Sequence, residues 1–274
     1  MSKLFKLGVI GSPIDHSLSP FIHSRFARQE NINIDYRAYK VEDEELQDFI
    51  KEFFSSKEAR GLNVTLPHKQ SVTKFIKDIS REAKFIDAVN TISKDNNILH
   101  GSSSDGDGLI NDLKSKDISI ENKKILIIGA GSAVRSILFK LIKAKPDSIT
   151  IINRTSDKVK KLQSKYLSMM SISVGLDADK YDLVINGSSA GLTGSFIPPD
   201  ENLFHSQTIF YDLNYSLVST PFCSWAETIS NQTFDGMGML VSQAAISFAE
   251  WFGVTPDIKK ITDELIELRN WINL

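Results

Sequence analysis

Short apolar runs alternating with longer segments of helical period set the pattern of this chain. Residues 4–11, 61–66, 123–128, 148–152, 181–186 and 208–213 are brief and apolar and end at glycine, proline, asparagine or aspartate, as buried strands do. Residues 35–42 read as another strand, and 88–92 with 98–101 as a pair joined by the turn Asp95-Asn96-Asn97. Between the strands, Leu46, Phe49, Ile50 and Phe53 recur at helical spacing and predict a helix over 43–54. Further helices are predicted over 21–29, 69–78, 80–86, from the loop 101–108 to 116, from the glycine turn at 129 to 143, after Thr155 or Ser156, over 220–229, 240–252 and 258–271. This alternation predicts an α/β protein of two domains: an N-terminal open, mostly parallel twisted sheet, then a Rossmann dinucleotide-binding domain.

Composition narrows the class. A chain of 274 residues suits two domains better than one, and 41% hydrophobic with 24% charged residues is the balance of a soluble protein with a sizeable core. A net charge of −2 gives no bulk attraction for nucleic acid or a membrane surface, and neither is expected as a partner. No apolar run approaches the ~20 residues that span a bilayer, and the first residues lack the apolar core of a secretory signal. Cys223 is the only cysteine, so no internal disulfide forms and a cytoplasmic location is expected. The five histidines, at 16, 23, 68, 100 and 205, have no metal-ligand spacing.

Chemistry concentrates at a few places. In Asn63-Val64-Thr65-Leu66-Pro67-His68-Lys69 an apolar run meets a proline, which ends the strand and delivers Lys69 to the loop beyond it. A lysine there serves as an acid or base, or is a solvated first-turn residue of the next helix. Ser17 and Ser19 flank Pro20, with Ser19 as N-cap and Pro20 as first helical residue; the pair holds an anion at the helix mouth, or only caps and turns. Asp105, opening the helix after 101–108, is a reacting carboxylate or a first-turn acid favoured by the helix dipole. Gln243 lies on the first turn of the 240–252 helix. In Gly129-Ala130-Gly131-Ser132-Ala133-Val134 a strand runs through a glycine turn into a helix, the context of a dinucleotide loop. Val134 stands at the third glycine position, which puts close helix–strand packing there in question. After the next strand, Arg154 and Lys158 occupy the region where an NAD site carries a carboxylate; cations there meet a 2′-phosphate and favour NADP. The small-residue loop 187–191 offers a surface over which a cofactor lies.

Taken in order, Ser17-Leu18-Ser19-Pro20, the 63–69 segment, Ala88-Val89-Asn90-Thr91, Asp105-Gly106, Gly129-Ala130-Gly131, Asn153-Arg154-Thr155, Asp212 to Phe222 and Asp235 to Leu240 resemble the shikimate dehydrogenase family across nearly the whole length. The resemblance implies reversible NADP-dependent reduction of 3-dehydroshikimate to shikimate, on the chorismate route to aromatic amino acids. It implies Lys69 and Asp105 as catalytic groups, Ser17 and Ser19 on the substrate carboxylate with Tyr215 assisting, and Thr65, Asn90, Asp105 and Gln243 on the ring hydroxyls. Gly129, Ala130, Gly131, Ser132 and Ala133 match the pyrophosphate loop, Asn153, Arg154, Thr155 and Lys158 the adenosine phosphate clamp, and Leu213 and Gly236 the nicotinamide contacts. A substrate domain of 1–105 completed by 239–274, an NADP domain of 106–238, and a monomer or homodimer are expected. Ser103-Ser104-Asp105 departs from the family's Asn-Thr-Asp, and Ser132 replaces a common glycine. An NAD-linked quinate/shikimate dehydrogenase and a non-catalytic dinucleotide sensor of the same fold stay open as alternatives.

Overall fold

The structure, a computed structural model, describes residues 3–176, 180–188, 190 and 196–272. It divides into two compact units, Met1–Gly108 with Leu240–Glu264, and Leu109–Met239 with Leu265–Leu274. The C-terminal tail, assigned wholly to the first domain on sequence, is thus divided after Glu264.

The first unit runs β1 (Leu4–Gly11), α1 (Ser19–Gln29), β2 (Asn33–Lys40), α2 (Leu46–Ser55), β3 (Ala59–Val64), β4 (Asp78–Ile79), α3 (Arg81–Ile86), β5 (Thr91–Asp95), β6 (Ile98–Ser102) and the start of α4 (Asp105–Ser115). Its sheet has the order β2-β1-β3-β5-β6-β4. β1 lies parallel to β2 and β3, β5 is antiparallel to β3 and β6, and β4 is parallel to β6. Asn96 and Asn97, both at positive φ, close the β5–β6 hairpin as a two-residue turn of that kind requires.

Two sequence expectations change here. The helix expected over 69–78 is replaced by one 3₁₀ turn, Ser71–Lys74, and by β4. Val72, Thr73 and Ile76 are β-branched and poor helix formers, and only Val72 and Ile76 of this segment are buried. The chain instead reaches the sheet edge, where Asp78 pairs with His100 and Ile79 with Gly101. In α1 the expected Ser19 cap is absent: the helix begins at Ser19 with Leu18 as an N-cap lacking a side-chain bond, and the Ser17 hydroxyl accepts from Ser19 N at 3.3 Å.

The second unit continues through β7 (Lys124–Ile128), α5 (Ser132–Lys143), β8 (Ser148–Ile152), α6 (Ser156–Tyr166), β9 (Ile172–Val174), β10 (Leu183–Asn186), β11 (Ile209–Asp212), α7 (Pro221–Ala226) and β12 (Thr233–Phe234), before α8 (Met237–Phe252) and α9 (Ile258–Ile272). The order β12-β11-β10-β7-β8-β9, parallel throughout, reads 6-5-4-1-2-3 in chain order within this unit and is the Rossmann arrangement. β9 and β12, three and two residues long, are too short to register in the sequence pattern. No helix among the described residues is long and apolar enough to cross a membrane.

α8 is seated on the first sheet by an exchange of bulk. A Cβ on Gly61 of β3 would lie 2.0 Å from Trp251 Nε1, so only glycine admits the indole, which donates to Ile92 O at 3.1 Å. Beside Trp251, fully buried His23 of α1 stacks on Tyr36 at 4.4 Å, and neither ring nitrogen has a hydrogen-bond partner among the described residues. Burial pulls its pKa from 6.5 down to about 3, only partly opposed by the nearby Asn63 side chain. Between pH 6.5 and 3 the unfolded chain therefore binds a proton that the folded chain refuses, and stability falls as the pH drops. Urea unfolding across pH 6.5 to 4 is expected to show His23 contributing a loss of up to about 1.4 kcal/mol per pH unit, a slope that His23→Leu removes.

Candidate active site

Lys69 is held from both sides before its side chain is considered. After β3 ends at Val64, Thr65 N donates to Ile10 O at 2.9 Å, and Ser12 N donates to Leu66 O at 3.0 Å. The loops that follow the parallel strands β1 and β3 are thus tied side by side at the carboxyl ends of their strands, where open α/β sheets bind ligands. Buried Ser19, half-buried Ser17 and half-buried Thr65 lie on these two segments. The His68 ring, with no exposed surface, bridges Val41 O at 2.7 Å and the Asp43 carboxylate at 2.9 Å, and Val89 N donates to Lys69 O at 2.8 Å.

This scaffold aims Lys69 Nζ at Asp105 Oδ2, 2.6 Å away, with side-chain exposures of 13% and 7%. The solvated-helix reading of Lys69 is therefore excluded, and Asp105 is both the first residue of α4 and the partner of the ammonium. At this burial solvent screens the pair weakly. The other carboxylate oxygen, Oδ1, accepts from Asn90 Nδ2 at 2.8 Å, and the same amide lies 3.1 Å from Gln243 Oε1. Gln243 sits in the second turn of α8, because the helix starts at Met237, three residues before the sequence expectation. Asn90 Oδ1 accepts from Ser104 N at 2.8 Å and from the Thr91 hydroxyl at 3.0 Å. Lys69, Asn90, Asp105 and Gln243 thus form one cluster, able to give a proton to a ketone oxygen and hydrogen-bond neighbouring hydroxyls.

The sequence reading missed four buried polar residues that join this cluster: Asn63, Thr91, Ser104 and Ser247. Ser247 follows Gln243 by one helical turn, and that spacing on a mostly apolar helix was the available signal.

In the second unit, β7 turns into α5 through Gly129, at φ +106°, where a Cβ would meet the Gly187 and Ser188 backbone at 2.9 Å. A Cβ on Gly131 would meet nothing closer than 4.0 Å, so the first turn of α5, with Ser132 and Ala133, stands open to an anion. The doubt over Val134 resolves in an unexpected way: a Cβ on Gly187 would lie 2.4 Å from Val134 Cγ2, so the valine packs where the strand end has given up its own side chain. After β8, Asn153 Nδ2 donates to Thr155 O at 2.9 Å, and Arg154 and Lys158 are exposed with no ion pair among the described residues. Two unneutralised cations beside an open helix start fit the phosphates of a dinucleotide. Leu213 N donates to Asn186 O at 2.8 Å, and a Cβ on Gly236 would lie 2.5 Å from Leu213 O, so Leu213 and Gly236 are neighbours. Buried Asp212 shapes the loop bearing Leu213 and half-buried Tyr215, accepting from Asn186, Asn214 and Thr220, while burial pushes its pKa up. Of the loop 187–191, Ser189 and Gly191 lie outside the described residues.

Known proteins are similar to this chain over nearly its whole length. Residues 9–92 match the family model described as the shikimate dehydrogenase substrate binding domain, 112–191 that described as shikimate / quinate 5-dehydrogenase, and 236–266 that described as the shikimate 5'-dehydrogenase C-terminal domain. The shikimate dehydrogenase (NADP(+)) of Legionella pneumophila (strain Lens) is 38% identical over 263 residues, 96% of this chain and 98% of that one. That of Vibrio campbellii is 37% identical over 265 residues, 95% of each chain. The crystal structure of the Thermus thermophilus enzyme, solved with NADP(H) and shikimate, superposes with a TM-score of 0.87 at 28% identity, covering 96% of this chain and 99% of that one.

The exchange of bulk between residues 134 and 187 is open to test. Gly187→Ala is expected to lower the unfolding free energy by about 1–3 kcal/mol through overpacking, and Val134→Ala in the same chain to recover most of that loss, read by denaturant titration of the double-mutant cycle.

Proposed function

The chain belongs to the shikimate dehydrogenase family, and from that premise we propose how its own residues reduce 3-dehydroshikimate to shikimate with NADPH, and reverse the reaction. The observation that carries the reading is the 2.6 Å contact between Lys69 Nζ and Asp105 Oδ2. When bound, the nicotinamide supplies the hydride to the ketone carbon. As negative charge builds on the ketone oxygen, Lys69 donates a proton from its ammonium to that oxygen; in the oxidative direction it takes the proton back from the hydroxyl. Asp105 holds the lysine in place through Oδ2 and is itself held by Asn90 through Oδ1.

Binding falls to neutral polar groups. Ser17 and Ser19 hold the substrate carboxylate, assisted by Tyr215, and Thr65, Asn90, Asp105 and Gln243 meet the ring hydroxyls. A site of this kind rejects an analogue lacking a hydroxyl, because a buried amide or hydroxyl would be left unpaired. Gly129, Ala130, Gly131, Ser132 and Ala133 hold the pyrophosphate with the first turn of α5, Leu213 and Gly236 the nicotinamide, and Asn153, Arg154, Thr155 and Lys158 the adenosine 2′-phosphate. The cations at 154 and 158 favour NADP over the NAD-linked reading, and the paired Lys69 and Asp105 favour an enzyme over a sensor. By the same roles the substrate groups, Tyr215 apart, fall within 1–105 and 239–274 and the NADP groups within 106–238, although 265–274 cluster with the second unit. One buried cysteine suits a reducing cytoplasm.

Initial rates of 3-dehydroshikimate-dependent NADPH oxidation by the purified protein test the reading, and absence of that activity would sink it. Lys69→Ala is expected to lower kcat by about 10²–10⁴ while the KM for substrate changes far less. Arg154→Ala is expected to raise the KM for NADPH about tenfold and leave that for NADH nearly unchanged, since it removes a charge-assisted bond to a phosphate that NADH lacks.

A further inference from the structure

The polar residues behind the reacting pair form one continuous run of hydrogen bonds that ends on Asp105. Ser104 N can only donate, so the atom of the Asn90 amide facing it at 2.8 Å is the oxygen Oδ1. The Thr91 hydroxyl, 3.0 Å from that oxygen, must then donate to it, which uses its one proton. Its oxygen in turn accepts from the Ser247 hydroxyl at 2.7 Å. The Ser247 hydroxyl, which also lies 3.1 Å from Gln243 O, accepts from Asn63 Nδ2 at 2.9 Å, and Asn63 Oδ1 accepts from Tyr36 OH at 2.9 Å. One line of donors thus runs from the interior of the first unit through Asn90 Nδ2 to Asp105 Oδ1, and the same Nδ2 also faces Ser104 Oγ and Gln243 Oε1.

We infer that this buried chain is a positioning device, in which Ser247 and Thr91 add to Ser104 N in holding the Asn90 amide in the orientation that turns its N–H to Asp105. Asn63, Thr91 and Ser247 are all buried, so water does not substitute for a missing link without repacking. Aligned donors polarise one another, which strengthens the last bond, the one on the carboxylate. Without the Thr91 hydroxyl, Asn90 Oδ1 loses a donor. Without the Ser247 hydroxyl, the Thr91 oxygen loses its shortest contact, at 2.7 Å, and the Asn63 amide its shortest acceptor, at 2.9 Å. The lysine then meets a carboxylate free to turn, and turnover suffers more than folding.

The inference rests on Lys69 and Asp105 being the reacting pair, and its test separates the two claims. Steady-state rates, normalised to the folded fraction from thermal melts, are compared for Thr91→Val, Thr91→Ser, Ser247→Ala, Lys69→Ala and Ser242→Ala. Ser242 is the control: it is buried on the same helix, and its hydroxyl has no partner among the described residues. Thr91→Val and Ser247→Ala are each expected to lower kcat about tenfold with the KM for NADPH unchanged, while Thr91→Ser, which keeps the hydroxyl, recovers most of the rate and Ser242→Ala matches the parent. Parental kcat in both Thr91→Val and Ser247→Ala, with Lys69→Ala inactive, overturns the positioning role alone. So does a rate loss that Thr91→Ser does not recover. Parental kcat in Lys69→Ala overturns the assignment of the reacting pair itself.

Discussion

A carboxylate has two oxygens, and at Asp105 each is committed to a different partner: one to the Lys69 ammonium, the other to the Asn90 amide. That division constrains most of the first unit. Lys69 must arrive from the end of β3, Asn90 from the segment before β5, and Asp105 from the first residue of α4. The mixed sheet brings these three together, because antiparallel β5 returns the chain past β3 and sets Asn90 beside the strand that leads to Lys69. A charge left without its partner at such low exposure costs several kcal/mol, so the elements carrying the pair have little freedom to drift.

The supporting bonds show how a short loop acquires the rigidity of a helix without being one. His68 is clamped between Val41 and Asp43, and the Lys69 carbonyl takes the Val89 N–H. A loop alone positions side chains loosely; one stitched to two neighbouring segments approaches the precision of a strand. The α8 helix completes the arrangement by bringing Gln243 and Ser247 to the cluster and anchoring itself through Trp251 over Gly61.

Much of this was legible in the residues. The apolar runs foretold the principal strands, and the strand–glycine–helix order at 124–143 foretold the Rossmann unit, since buried parallel strands read as continuous apolar stretches. Lys69, Asn90, Asp105 and Gln243 were named in advance and lie together. Other features were illegible for physical reasons. The segment 69–78 carries apolar residues four apart, Val72 and Ile76, which imitate a helical face, yet the pull of the sheet edge outweighs that local pattern. Thr91 and Ser247 resemble ordinary strand and helix residues in sequence, and their part in the cluster depends on contacts between positions 156 residues apart. The Ser19 cap failed because the helix began one residue early, an error that capping propensity alone does not prevent.

The contact between Val134 and Gly187 bears on how such loops diverge. What the turn demands is a fixed separation between two backbones, and that demand is met whichever backbone lacks a side chain. The familiar fingerprint is thus one of two equivalent spellings of a single spacing rule. Glycine at both positions also meets the rule, and a scan that inspects the helix side alone would pass over a chain spelled as this one is.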